Sequence, residues 1–148
     1  MQASGSIDIA RPPTAVFEFM DVPENQARIS PRLSAVETLG TLDSGAKRAS
    51  YTYRLLGLRF EGEVRGLEHD PPETVSFELT GDIGGHIRWD FEPTELGTRV
   101  TYSATYDLGL PAALRWLLWP LLDRVNRREI ATTLENLRQS TETHRGPP

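Results

Sequence analysis

Two periodicities divide this chain. From Ser34 to Leu108 apolar and polar residues alternate, the period of half-buried strands, whereas from Pro111 to about Gln139 apolar residues recur every three or four positions, the period of an amphipathic helix. The clearest alternations are Tyr51, Tyr53, Leu55; Phe60, Gly62, Val64; Val75, Phe77, Leu79; Ile87, Trp89, Phe91; and Val100, Tyr102, Ala104, Tyr106, Leu108. Polar rows run opposite them, among them Arg59, Glu61, Glu63, Arg65 and His86, Arg88, Asp90, Glu92. Turn residues at Ser44-Gly45, Leu56-Gly57, Asp70-Pro71-Pro72, Gly81 to Gly85 and Pro93 to Gly97 cut the stretch into six strands. Connections this short make neighbouring strands antiparallel, and a sheet with one apolar face needs a cover.

The long helix is that cover. Leu114, Leu117, Leu118, Leu121, Leu122 and Val125 share one helical face, continued by Ile130, Leu134 and Leu137. Pro120 interrupts it: a proline lacks the N–H for its helical bond and clashes with the carbonyl four residues back, so a kink or a fresh helix start is expected there. Before the sheet, Ile7 and Ile9 mark a first strand from Ser4 to Ala10, stopped by Pro12 and Pro13. A short helix with Val16, Phe17 and Met20 on its apolar face follows, then a second from about Pro23 to Ile29. The class is α+β: a curved antiparallel sheet of about seven strands wrapped on a long C-terminal helix, with two short helices after the first strand.

Composition narrows the function. At 148 residues the chain is expected to form one domain over residues 1–139, large enough to bury roughly 68–70% of its unfolded surface, with a polar, flexible tail at 140–148. There is no cysteine, which removes disulfides and thiolate chemistry. A net charge of −5 disfavours a nucleic-acid partner. Met1 to Pro13 has neither the basic start nor the apolar core of a signal peptide, and no apolar run approaches the ~18 residues of a membrane span, so a soluble, cytoplasmic protein is expected.

Catalytic and metal motifs are missing. His69, His86 and His144 lie far apart without an i, i+4 pair, so no metal is expected; His86 shares a row with Arg88 and Asp90 and reads as solvated. Gly81, Gly84 and Gly85 match no phosphate-binding loop, no phrase marks a nucleophile elbow, and no cofactor is implied. The informative residues are on the long helix. At 100° per residue, the face carrying Leu118, Leu122, Val125, Ile130 and Leu137 is centred near Asn126, Glu129 and Thr133, which are polar. They point toward the apolar sheet face with Tyr51, Tyr53, Phe60, Phe77, Trp89, Phe91, Tyr102 and Tyr106. A buried carboxylate needs a tyrosine hydroxyl, an arginine, water or a ligand, so Glu129 either anchors a molecule in an apolar cavity or reaches the helix edge to pair with an arginine.

The element order, with Ile9-Ala10-Arg11-Pro12-Pro13 followed by Val16-Phe17 and Pro23-Glu24-Asn25, then Trp89-Asp90-Phe91-Glu92-Pro93 with Gly97-Thr98-Arg99-Val100, and Leu134-Glu135-Asn136-Leu137-Arg138 at the end, resembles the helix-grip fold of the START and pollen-allergen superfamily, also called SRPBCC. It is most similar to the polyketide cyclase/dehydrase-like branch. The resemblance covers about residues 5–139 and implies a hydrophobic ligand (lipid, quinone or polyketide-like) held between the sheet residues Tyr51, Tyr53, Phe60, Phe77, Trp89, Phe91, Tyr102 and Tyr106 and the helix residues Leu118, Leu122, Asn126, Glu129 and Thr133. In that fold the segment before the long helix lies over the cavity mouth, which implies a lid made of Trp116, Leu117 and Trp119 hinged at Pro120. Two alternatives accompany this reading. One is a cyclase/dehydratase-like enzyme with Glu129 as the catalytic group beside Tyr51, Tyr53 or Tyr102. The other is a protein-interaction module using its exposed sheet edge or the Trp116 and Trp119 patch, a patch which, flanked by Arg115 and Arg124, also suits transient contact with a membrane surface.

Overall fold

The computed structural model describes residues 2–143, except 56 and 108. Strand β1 (Gln2–Ile9) leads into helices α1 (Pro13–Met20) and α2 (Pro23–Ile29), each opened by its proline, whose missing N–H has no bond to lose in the first turn. Strands β2 (Leu33–Thr41), β3 (Lys47–Leu55), β4 (Leu58–Asp70), β5 (Thr74–Gly81), β6 (Gly84–Pro93) and β7 (Thr98–Asp107) follow, then helix α3 (Ala112–Thr143). The strands form one curved antiparallel sheet in the order β1-β7-β6-β5-β4-β3-β2, as the alternating pattern implies. β1 and β2 are its two edges, so α1 and α2 carry the chain from one edge to the other.

Register sets the inward rows. Trp89 on β6 stands opposite Val75 on β5 and Tyr102 on β7, and Tyr102 is opposite Gly5 on β1. At Gly5 the helix comes close: a Cβ there would meet Ile130 Cγ2 at 2.8 Å and Leu134 Cδ1 at 3.1 Å. On the other half of the sheet Tyr51 faces Gly62, and a Cβ at Gly62 would lie 2.7 Å from the Tyr51 hydroxyl. The absent side chain leaves room for the tyrosine ring. α3 packs on β1 and α2, and Asn136 Nδ2 donates to the Ile29 carbonyl at 3.0 Å.

Buried side chains fall into two clusters. One joins Ile9, Phe17 and Met20 to Trp89, Phe91, Val100 and Leu137; the other joins Tyr51, Leu55, Phe60, Ile83 and Leu122. The first holds the α3 end of the sheet together: Phe17 meets Phe91 edge-on at 5.6 Å, and Leu137 has no exposed surface.

Three expectations change. The helix does not fray at Ser140 but continues to Thr143: Thr141 is buried against the fold, and the Glu142 carboxylate accepts from the Ala10 N–H at 2.9 Å, which ties the last turn to the end of β1. The rest of the expected tail, with His144, lies outside the described residues, as do Leu56 and Leu108. Pro120 starts no new helix: α3 runs through it, at a place where Trp116 and Leu117, one turn back, are exposed and water can satisfy the orphaned carbonyl. Finally, the apolar face of the first three turns is not all core. Leu114, Leu117 and Leu121 are exposed, while Leu118, Leu122 and Val125 turn toward the second cluster. Among the described residues no helix is long and apolar enough to cross a membrane.

Candidate functional site

Where the two buried clusters would meet, the molecule leaves a cavity of about 130 Å³. Its floor is the sheet: Tyr51 and Tyr53 from β3, Phe77 and Leu79 from β5, Ile87 and Trp89 from β6, Tyr102 and Tyr106 from β7. Its roof is α3, which lowers Asn126, Glu129, Ile130 and Thr133 into it. The i, i+3, i+7 spacing of Asn126, Glu129 and Thr133 brings one polar group per turn to the same side. The third wall is α2 and the start of β2, with Pro23, Gln26, Ser30, Leu33 and Val36.

Glu129 is the one carboxylate among the described residues that line the cavity. Its side chain is only 12% exposed, and its Oε2 accepts a 2.6 Å hydrogen bond from the Tyr53 hydroxyl and lies 3.4 Å from Arg32 Nε. Arg32, in the turn between α2 and β2, keeps a third of its side chain in solvent. Burial pushes the Glu129 carboxyl above its ordinary 4.5, against the pull of the Tyr53 hydrogen bond and the Arg32 charge. Two expected uses of Glu129 thus coincide: it faces the cavity and it pairs with an arginine. The same surroundings act on the phenols. Burial, then the nearby Glu129 charge, pushes Tyr53 and Tyr106 upward, and burial with Tyr106 and Glu129 does so for Tyr102, so all three stay protonated donors. Tyr106 gives its hydroxyl hydrogen to Asn126 Oδ1, and Tyr51 gives its own to the Thr80 and Ile83 carbonyls at 3.2 and 3.3 Å. The Trp89 indole N–H, in a residue 2% exposed, has no acceptor among the described residues.

Four residues expected in the cavity stand elsewhere. Phe60, Leu118 and Leu122 pack in the cluster around Leu55 and Ile83, and Phe91 packs on Phe17. Leu118 and Leu122 come roughly two to three turns before Glu129 on α3, and Phe60, although it stands opposite Tyr53 in the sheet, packs into that second cluster. Trp116, Leu117, Trp119 and Pro120 do not line it either; Trp116 is 82% exposed and Leu117 70%. Missing from the sequence reading were the α2 wall and Arg32. Pro23, Gln26 and Ser30 repeat the i, i+3, i+7 spacing of the α3 residues, the signal that would have found them, whereas nothing local distinguishes Arg32 from its fellow arginines.

Among the described residues neither histidine lines the cavity. His69 Nε2 lies 2.8 Å from Asp21 Oδ1 with its ring against Phe17, and His86 is exposed. Among the described residues no three His, Asp or Glu side chains gather as metal ligands would.

Solved structures with this architecture include the protein TTHA0849 from Thermus thermophilus (TM-score 0.86, 19% identity, 99% of this chain and 100% of that one), the Zhui aromatase/cyclase from a Streptomyces species (0.81, 13%, 97% and 94%) and a START superfamily protein from Mycobacterium smegmatis (0.65, 14%, 97% and 95%). At these identities the likeness is one of fold, the helix-grip fold. No curated protein matches the sequence. The family model described as polyketide cyclase / dehydrase and lipid transport matches residues 1–142, and the chain belongs to that family.

Proposed function

We propose that the protein binds an apolar or aromatic small molecule, of lipid, quinone or polyketide-like chemistry, between the sheet and α3, with the polar end of the ligand at Glu129. The observation that carries this reading is the retained carboxylate. Removing a carboxylate from water costs several kcal/mol unless partners offset it. A packed apolar core would do without Glu129, whereas a cavity with a few convergent polar groups in an apolar wall is the usual layout of a small-molecule site. The name of the family and those of an aromatase/cyclase and a START superfamily protein with the same fold are in keeping with such a ligand. Native mass spectrometry and solvent extraction of the purified protein test the reading, together with a tryptophan-fluorescence screen of fatty acids, quinones and polyphenols. A co-purified molecule, or saturable 1:1 binding of one class, is expected. Protein that carries nothing and responds to none of the three classes would overturn the proposal.

A second reading is favoured by the raised proton affinity of Glu129 beside a tyrosine donor: acid–base catalysis on a poly-β-keto chain. Glu129 would take the proton from a carbon between two carbonyls, and Tyr102 would hydrogen-bond the enolate oxygen; Tyr51, whose hydroxyl serves two backbone carbonyls, and Tyr53, whose hydroxyl serves Glu129, drop out of that role. Turnover that is unchanged in Glu129→Gln would exclude this mechanism.

A further inference from the structure

The first three turns of α3 hold five exposed large apolar residues, among them Trp116 and Trp119. Beside them, between the end of β7 and the start of α3, lies a second space of about 260 Å³. Tyr106, Leu122, Trp116 and Trp119 wall it, together with Arg115 and Asp107, which are paired at 3.5 Å. Tyr106 lines this outer groove and the inner cavity alike, and its hydroxyl is bonded to Asn126. One side chain, held by a hydrogen bond across to α3, is therefore shared by the two spaces.

Size argues that they work together. An apolar cavity of roughly 150 Å³ takes up a single benzene. The inner cavity, at about 130 Å³, is thus filled by one ring with a small polar substituent. Sites for larger small molecules run from roughly 300 Å³ upward, a size reached only when the two spaces are joined. Turning Tyr106 aside gives up at least its neutral hydrogen bond to Asn126, which by itself shifts the equilibrium roughly two- to tenfold. Burying methylenes in the groove offsets that loss at about fourfold each.

We propose that the inner cavity and the outer groove are two halves of one channel gated by Tyr106, and that its ligand is an elongated amphiphile. Resting on the binding reading above, the ligand keeps a ring with a hydroxyl or carbonyl at Glu129, and its apolar tail passes Tyr106 to lie against Trp116 and Trp119.

The three tryptophans of the chain make the test direct, since Trp89 lines the inner cavity and the other two line the groove. The variant Trp116→Phe/Trp119→Phe leaves only Trp89 to report, and Trp89→Phe leaves only the outer pair. Should Trp89→Phe not fold, the wild-type signal less that of the double variant gives the outer pair. Both are titrated with phenol, 4-propylphenol and 4-hexylphenol, and with phosphatidylglycerol vesicles. Phenol is expected to perturb Trp89 alone, and 4-hexylphenol both reporters, with affinity still rising by about fourfold per methylene beyond propyl. Trp116→Ala/Trp119→Ala should weaken 4-hexylphenol at least tenfold and phenol less than twofold. An outer pair silent to 4-hexylphenol, or an affinity that levels off at propyl, overturns the channel while leaving the inner site standing. An outer pair that answers only to vesicles makes the patch a membrane surface and likewise overturns it. If no phenol perturbs Trp89, the channel falls together with the binding reading beneath it.

Discussion

Replacing Tyr53 by phenylalanine removes one oxygen and leaves the ring in place, so it isolates the hydrogen bond to Glu129. That bond, 2.6 Å long and made to a carboxylate 12% exposed, belongs to the charge-assisted class worth about 1.5–3 kcal/mol. A loss of about 2 kcal/mol at neutral pH is expected, which for a chain of this length lowers Tm by roughly 4–8 °C. The loss should depend on pH. Burial already raises the Glu129 pKa above 4.5, and the Tyr53 bond is the strongest influence holding it down, so the variant raises it further. A carboxyl with a raised folded pKa stabilises the fold fully below its unfolded pKa and loses that contribution as pH climbs through the folded value. The variant loses more of it, so its deficit is smallest near pH 4 and widens toward pH 7.5. Urea unfolding at both pH values, for the wild type, Tyr53→Phe, Glu129→Gln and the double variant, gives the coupling between the two side chains. A deficit below about 0.5 kcal/mol at pH 7.5, or one equal at both pH values, would show that Glu129 is not a buried carboxylate held by Tyr53.

Glu129→Gln removes the charge and nearly keeps the shape; the stability of the wild type relative to this variant should fall as pH rises above about 4.5, by about 1.4 kcal/mol for each pH unit by which the carboxyl is raised, as measured by thermal melts across pH. Gly5→Val drives methyl groups into Ile130 and Leu134, where the helix packs close on β1, and should cost about 1–3 kcal/mol in urea unfolding. Leu137→Ala, at a fully buried position, should cost about 2–5 kcal/mol, whereas Trp116→Ala, on the exposed turn, should stay within about 0.5 kcal/mol of the wild type in the same assay. Comparable losses in those two variants would mean that Trp116 is core.

The period of two was legible because each strand has one wet face and one dry face: Ile87 and Trp89 point in while His86 and Arg88 point out. The second helix was legible to the residue, since Pro23 opens it and the approach to Pro31 closes it. The inward triad Asn126, Glu129 and Thr133 followed from the 100° step alone, because α3 stays helical on both sides of Pro120. What failed was the assumption that every apolar helical position has a surface to cover. Leu114, Leu117 and Leu121 continue the periodic face, but α3 meets β1 and α2 only further along, and nothing in a helical wheel says where the opposing layer stops. Phe60 and Phe91 differ for a related reason: alternation gives the face of a strand, but it does not say that Phe60, opposite Tyr53 in the sheet, packs in the cluster of Leu55 and Leu122, or that Phe91 meets Phe17. Arg32 reaches Glu129 across 97 positions of chain, a pairing that exists only once the fold does.

The isoleucines allow the most direct test of the account, which claims that a small molecule enters the space between sheet and helix. Ile83, Ile87 and Ile130 line the cavity, and Ile7, Ile9 and Ile29 do not. In a protein carrying labelled isoleucine δ1-methyl groups, titration with phenol should shift the signals of Ile83, Ile87 and Ile130 together, saturating at one equivalent, and leave the other three in place. Unmoved signals at Ile83, Ile87 and Ile130, or shifts confined to Ile7, Ile9 and Ile29, would contradict it.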